Sequence, residues 1–494
     1  MGNTRNETAG RNDGKGLLDF SGEATGYKLD KRFVISVLVA AALVVVGDHL
    51  PFLDAYGETA GLAFGVLMAS LFLLVYMPAH ILVPSLLIVV MGTLFGLWEV
   101  STVQGTFGSS PFIQALGMTL VALGCEFTPI GERLAYIFLK KFGKKPVLMA
   151  IVVGVFCAVV SAFISNVACI IMMSSIVAGI LRAAGEKPGE SKLGMVCMLL
   201  VVAASKMGGF GLFSGSVLGN TAALNYVRET TGYTLTYAEW AKISIPSFLV
   251  AVPVMCFIYI RFFHLKNDDV HLPPPEYYQG KLDELGKITG AEIRWLLILF
   301  GMIFCMLSGV NMNVASLLFA ALSMCPGIGV LNCKTVWNRV PIAILLSASF
   351  LPLMAKLFSD HGLNAFVSDL LGPVFGNFGP FGFMMVTTLV LGVMLTFFVN
   401  AQTPVNGIIF TCAPPIALAL GYNPAVVMFP ALFTNGFFFA HGANATTILN
   451  RDYGYWSKTT DPMGPGLILI AATTVIFSII TYFLAPMVGM PLYI

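Results

Sequence analysis

FISNVACIIMM at residues 163–173 and FFVNAQTPVNGII at residues 397–409 decide how this chain folds. Each sets an asparagine among small polar residues, Ser165-Asn166 in one and Asn400 with Gln402 and Thr403 in the other. Both lie inside apolar runs long enough to cross a bilayer. An amide without partners in hydrocarbon costs about 4–8 kcal/mol on a cyclohexane reference. A chain that breaks two spanning helices with such groups, once in each half, is expected to hold a polar ligand at mid-membrane.

The surrounding composition sets the class. Hydrophobic residues make up 57% of the 494-residue chain and charged residues 11%, with mean hydropathy +0.85. Soluble domains carry about 25% charged residues, so most of this surface is expected to face lipid. The 50 glycines and 26 prolines suit broken helices, which a membrane tolerates where the backbone is buried in protein. The reading is an all-α polytopic membrane protein of about eleven transmembrane helices. A net charge of +2, with no basic run fit for nucleic acid, gives no footing for such a partner. The nine cysteines form no CxxC or Cys/His metal spacing and read as small buried apolar residues. HExxH, GxSxG and P-loop patterns are absent, so an enzyme is not expected and no cofactor is called for.

Along the chain, residues 1–32 are polar and Gly-rich and read as a disordered cytoplasmic tail. Lys28, Lys31 and Arg32 precede the first span and Asp48, Asp54 and Glu58 follow it, which places the N-terminus inside. Residues 33–263 form a first repeat, with a re-entrant hairpin expected at about 105–142, where Gly108, Pro111, Gly124, Pro129 and Gly131 interrupt the run. Residues 264–294, HLKNDDVHLPPPEYYQGKLDELGKITGAEIR, are the long polar interruption and read as a cytoplasmic linker. Residues 295–494 form a second repeat, with its hairpin expected at about 340–372 and an extracytoplasmic C-terminus.

The two halves match in order. Gly131 precedes Asn166 at nearly the spacing by which Gly362 precedes Asn400. A second polar break follows each asparagine: KMGGFGLFSGSVLGNTAALN at 206–225 and HGANATTILN at 441–450. Lys206 and His441 stand at nearly equal distances beyond their asparagines. Each half therefore carries a hairpin, an Asn-bearing break and a second break, the inverted-repeat plan of secondary transporters.

These residues resemble the divalent anion:sodium symporter family, the bacterial relatives of solute carrier family 13 within the ion transporter superfamily. ISNVACIIMM is similar to the family's first Ser-Asn-Thr signature and VNAQTPVNG to its second. ASKMGGFGLFSGSVLGN at 204–220 is similar to its Gly-Gly…Gly-Thr-Pro-Pro-Asn stretch, and TYAEWAKISIP at 236–246 sits where the segment before the sixth span belongs. The chain departs from the pattern at Val167, Val399 and Ala401, and at Val217-Leu218-Gly219 in place of the double proline. The resemblance implies an elevator-type carrier of small organic anions, a homodimer, and sodium as the coupling ion, in the cell membrane. The alternative is a sodium/proton antiporter or an inorganic oxyanion (arsenite, sulfate) permease of the same superfamily. Cation antiporters want intramembrane carboxylates, and neither Asn motif contains Asp or Glu, which favours an anionic substrate.

By residue, substrate binding falls to Ser165, Asn166, Val167, Gly215, Ser216 and Asn220 in the first half. In the second half it falls to Asn400, Ala401, Gln402, Thr403, Asn444 and Thr446. Ser161, Ser165, Asn166, Gly208, Gly209 and Asn400 are candidates to offer oxygen to a sodium ion, because hard cations take hydroxyl and carbonyl ligands. Lys206 is the outlier: a lysine among spanning residues costs about 2.5–3.5 kcal/mol on insertion scales. It is assigned, with His441 as its counterpart, the positive charge that sodium would otherwise bring.

Overall fold

The computed structural model describes residues 31–494 except 78, 81, 268–269, 351–352, 355, 376–377, 398–401, 435–449 and 459. Asn400, Ala401, His441, Asn444 and Thr446 therefore lie outside the described residues. Among the described residues there is no strand, only one antiparallel bridge between Tyr422 and Tyr493. A lipid-facing chain must satisfy its backbone internally, which helices do within one segment.

The first half holds α1 (Lys31–Asp48), α2 (Ala60–Tyr76), α3 (Leu82–Leu94), α4 (Val100–Phe107), α5 (Ser110–Leu123) and α6 (Ile130–Phe142). It continues with α7 (Pro146–Ser161), α8 (Asn166–Ala183), α9 (Lys192–Gly211), α10 (Val217–Thr231) and α11 (Tyr237–Phe262). The linker carries α12 (Pro275–Glu284). The second half holds α13 (Gly290–Leu307), α14 (Met312–Met324), α15 (Ile342–Phe350), α16 (Lys356–Ser359), α17 (Leu363–Phe375) and α18 (Gly379–Phe397). Last come α19 (Gln402–Ala419), α20 (Pro424–Val427), α21 (Phe429–Thr434) and α22 (Met463–Met487). Seven helical segments among the described residues are long and apolar enough to cross a membrane by length and composition. Others, such as Pro146–Ser161 and Met312–Met324, are shorter.

Two ends organise the molecule, one marked by α12 and one remote from it. The linker end is held by a buried ion pair. Arg133 on α6 donates from Nε to Glu292 Oε2 (2.8 Å) and from Nη2 to Oε1 (3.2 Å). Its remaining donors reach the carbonyls of Leu285, Gly286 and Lys287 at 2.7–3.3 Å. Glu292 is also the third residue of a capping box with Thr289, so one carboxylate both starts α13 and pins α6 to it.

The stretch 105–142, expected as a hairpin, holds part of α4 with α5 and α6. The Ser110 hydroxyl at the start of α5 accepts from Asn313 Nδ2 (2.6 Å), beside the far-end turn between α13 and α14. The Val121 carbonyl near its other end accepts from Trp295 Nε1 (2.9 Å), close to the linker. α5 thus runs from end to end without folding back. α6 then lies along α12, burying Ile130, Ala135 and Leu139 and exposing Glu132 and Lys141. The second expected hairpin, 340–372, likewise holds α15, whose Phe350 packs edge-on against Phe107 (5.5 Å), and α17, whose Phe366 packs on Phe52, Tyr56 and Phe64.

Two other helix pairs have both feet at one end. α7 and α8 meet at the short turn 162–165, and both feet stand at the linker end. There Val147 N donates to Asn267 Oδ1 (3.3 Å), and Gly179 lies beside the Tyr277 hydroxyl. α18 and α19 have both feet at the far end. Phe383 meets Tyr422, just beyond α19, with ring centroids 6.0 Å apart, and Tyr422 meets Tyr493 at 5.8 Å. α9 stands at the centre, 94% buried, packed on α7, α8, α11 and α21.

Candidate functional site

The turn between α7 and α8 closes on the unwound stretch between α9 and α10. Ser161, the last residue of α7, is buried and donates its hydroxyl to Ser205 O (2.5 Å) on α9. Ser214 in the unwound stretch donates to Ala162 O (3.2 Å) and shares a 2.9 Å bond with the Tyr237 hydroxyl. Within the break, Ser216 N donates to Gly209 O (2.5 Å) and Gly215 N to Leu212 O (3.1 Å). The Nδ2 of Asn220 reaches back to the carbonyls of Gly209, Leu212 and Phe213 at 3.1–3.4 Å.

Glycine makes this approach possible. A Cβ on Gly208 would overlap the backbone carbonyl of Ala158, so only glycine lets α9 lie this close to α7. A Cβ on Gly209 would stand 3.2 Å from Asn166 Cβ, 3.4 Å from Ser161 Oγ and 3.5 Å from Ser216 Cβ. Gly209 is therefore the point on which Ser161, Asn166 and Ser216 converge.

Two helices begin here, α8 at Asn166 and α10 at Val217. Neither N-cap residue, Ser165 or Ser216, makes a side-chain cap bond. Helix starts leave N–H groups without intrahelical partners and carry a positive dipole end, so the pair suits an anion. Two oxygens nearby favour the opposite charge. Ser205 Oγ is buried with the Cys157 thiol beside it, and Asn220 Oδ1, also buried, has no hydrogen-bond partner among the described residues. Buried polar atoms are rarely left this way, and a carbonyl and a hydroxyl oxygen fit a hard cation.

Of the residues expected from sequence, Ser161, Ser165, Asn166, Gly208, Gly209, Gly215, Ser216 and Asn220 come together in this one region. Val167 is in α8 but exposed. Lys206 is 3% exposed within α9, next in sequence to Ser205. Gln402 and Thr403 open α19, which packs on α10. Sequence reading missed Ser205, Ser214 and Tyr237, whose roles depend on which backbone the fold brings opposite. It also missed Asn450, fully buried, which donates to Ser174 Oγ on α8 (2.6 Å) and accepts from Trp456 Nε1 (2.8 Å). Its place at the end of the second polar break was the available signal.

Comparison with known proteins gives one family. Residues 30–492 match the family described as the sodium:sulfate symporter transmembrane region. The sodium-dependent dicarboxylate transporter SdcS of Staphylococcus saprophyticus is 22% identical over 361 residues, 67% of each chain. SdcS of Staphylococcus aureus is 24% identical over 216 residues, 42% of this chain and 41% of that one. Among solved structures, the YdaH transporter of Alcanivorax borkumensis is similar in fold, with TM-score 0.52 and 13% identity over 81% of this chain and 91% of that one. MtrF of Neisseria gonorrhoeae, whose structure is described with a class of antimetabolite efflux pumps, gives TM-score 0.57 and 11% identity, covering 92% of this chain and 99% of that one.

Proposed function

This chain belongs to the sodium:sulfate symporter family, the divalent anion:sodium symporters, and from that premise we propose that it carries small organic anions by alternating access. It is a multi-pass membrane transporter and not an enzyme. Its proposed substrates are di- and tricarboxylates such as succinate, malate or citrate. The observation that carries this reading is the convergence of two uncapped helix starts, at Asn166 and Val217, on the buried Gly209. Backbone N–H groups there would meet one carboxylate, and the amide of Asn166 would orient it.

Sodium is the proposed coupling ion. Asn220 Oδ1 and Ser205 Oγ, with hydroxyls and carbonyls of the Ser161 and Gly209 region, would hold it. Its charge would offset that of the substrate a few residues away, so each would strengthen binding of the other.

The carrier mechanism follows from the two fold-backs. We take α7–α8 and α18–α19 as the re-entrant hairpins, in place of 105–142 and 340–372. Their feet at opposite ends support an inverted repeat. Helices α9–α10 form the broken helix of the first half, unwound at 212–216. An elevator movement of these elements past the remaining helices, in a homodimer of the cell membrane, completes the proposal. The lysines at 140, 141, 144 and 145 favour a cytoplasmic linker end.

Lys206 supports a second reading, because a lysine buried in the same helix is a group that can bring the positive charge otherwise supplied by sodium. In that case the anion binds without sodium. Uptake of succinate, citrate, malate and sulfate into proteoliposomes, with and without a sodium gradient, separates the two. Sodium-driven dicarboxylate uptake that survives Lys206→Ala supports the first reading. Sodium-independent uptake abolished by Lys206→Ala supports the second. Sodium–proton exchange without transport of any anion overturns both.

A further inference from the structure

At the foot of α7 the linker end carries a feature that the transport site does not use. Two cavities adjoin there. One, of about 510 Å³, is lined by Lys140, Lys144, Lys145, Asn267 and His271 over a floor that includes the buried Tyr278. The other, of about 460 Å³, shares Lys140, Lys144 and Pro275 with the first and opens onto Ile137 and Leu282. No acidic side chain lines either cavity among the described residues. Lys144 and Lys145 are exposed, and Lys140 spends one of its three donors on Gln279 Oε1 (2.5 Å).

The apolar surroundings define the ligand. Ile137, Phe138 and Phe142 on α6 are each exposed by more than two fifths, and the Lys141 ammonium sits 5.2 Å over the Phe142 ring. The apolar helix α7 begins at Pro146, directly after the last lysine, so these cations stand where a spanning helix enters the bilayer. A phosphate on the lysines with a hydrocarbon tail along Ile137 and Leu282 uses both cavities at once. A free phosphate would use only the cationic one.

We propose that this double cavity is a binding site for an acidic phospholipid, whose phosphate the cluster Lys140, Lys144, Lys145 and His271 holds and whose acyl chain lies against Ile137 and Leu282. Clustered lysines beside a spanning helix attract anionic headgroups. The bound lipid ties together α6, the start of α7 and the linker strap 270–275, and so braces the foot of the α7–α8 pair. This proposal stands apart from the transport site and holds whatever anion is carried.

Thermal unfolding of the full-length detergent-purified protein tests it. The probes are phosphatidylglycerol, phosphatidylcholine, glycerol phosphate and inorganic phosphate, added singly to wild type and to Lys144→Gln/Lys145→Gln. That variant leaves the Lys140–Gln279 bond intact and changes only exposed side chains. A control variant, Lys187→Gln/Lys192→Gln, removes the same charge elsewhere. Phosphatidylglycerol is expected to raise the wild-type Tm by about 2 °C or more, with no rise from the other three. The rise is expected to vanish in Lys144→Gln/Lys145→Gln and to persist in the control. An equal rise from either soluble phosphate would reduce the feature to an anion site without lipid. A rise that survives Lys144→Gln/Lys145→Gln, or is lost equally in the control, would overturn the proposal, as would no rise in wild type.

Discussion

Helices α11 and α13 begin with complete capping boxes, whereas α8 and α10 begin with serines that cap nothing. The side chains are of the same kind, Thr236 and Thr289 against Ser165 and Ser216. What differs is the setting. Thr236 and Thr289 sit at the ends of the molecule, and each is paired three residues on with a glutamate that closes its helix. Ser165 and Ser216 are half-buried where α7–α8 meets the unwound stretch, and an open helix start there is costly unless something else satisfies it. An unsatisfied start surrounded by glycine therefore points to a ligand, and a satisfied one points to structure.

Four substitutions test that contrast. The largest effect is expected from Glu292→Ala, which opens the capping box of α13 and leaves Arg133 buried without its counter-charge. A loss of about 3–5 kcal/mol is expected, read as loss of monodisperse protein in size-exclusion chromatography. The paired change Arg133→Met with Glu292→Leu should recover much of it. Gly208→Ala comes next. Its methyl meets the Ala158 carbonyl, so α7 and α9 must separate at a cost of about 1–3 kcal/mol, and uptake should fall with Tm.

Thr236→Ala removes an ordinary cap and should cost about 0.5–2 kcal/mol while leaving substrate affinity unchanged. Ser165→Ala should do the reverse. Stability is expected to stay within about 0.5 kcal/mol, because the hydroxyl makes no cap bond, while the substrate concentration for half-maximal uptake rises. A Tm drop for Ser165→Ala as large as that for Thr236→Ala would erase the distinction between the two kinds of helix start.

Much of this was legible in the sequence. Apolar runs gave the helices, and glycine with serine and asparagine marked both breaks of the first half. Ser161, Asn166, Gly209 and Ser216 meet because the residues that end helices in this chain also line its interior. The fold-backs were harder to place. Glycine and proline at 105–142 look like a reversal, yet reversal depends on where the next helix packs, and Trp295 and Glu292 on α13 bond to α5 and α6. Asn450 was hidden for a related reason. Its partners, Ser174 and Trp456, lie on either side of it in sequence, one of them in the other half of the chain.

The most direct measurement is succinate uptake into proteoliposomes by wild type and Asn166→Ala, under an inward sodium gradient and under an equal potassium gradient. Wild-type uptake with sodium alone, reduced at least about tenfold in Asn166→Ala, a loss of about 1.4 kcal/mol, is the expected result. Unchanged uptake by Asn166→Ala at equal reconstitution would contradict a substrate site at the meeting of α8 and α10.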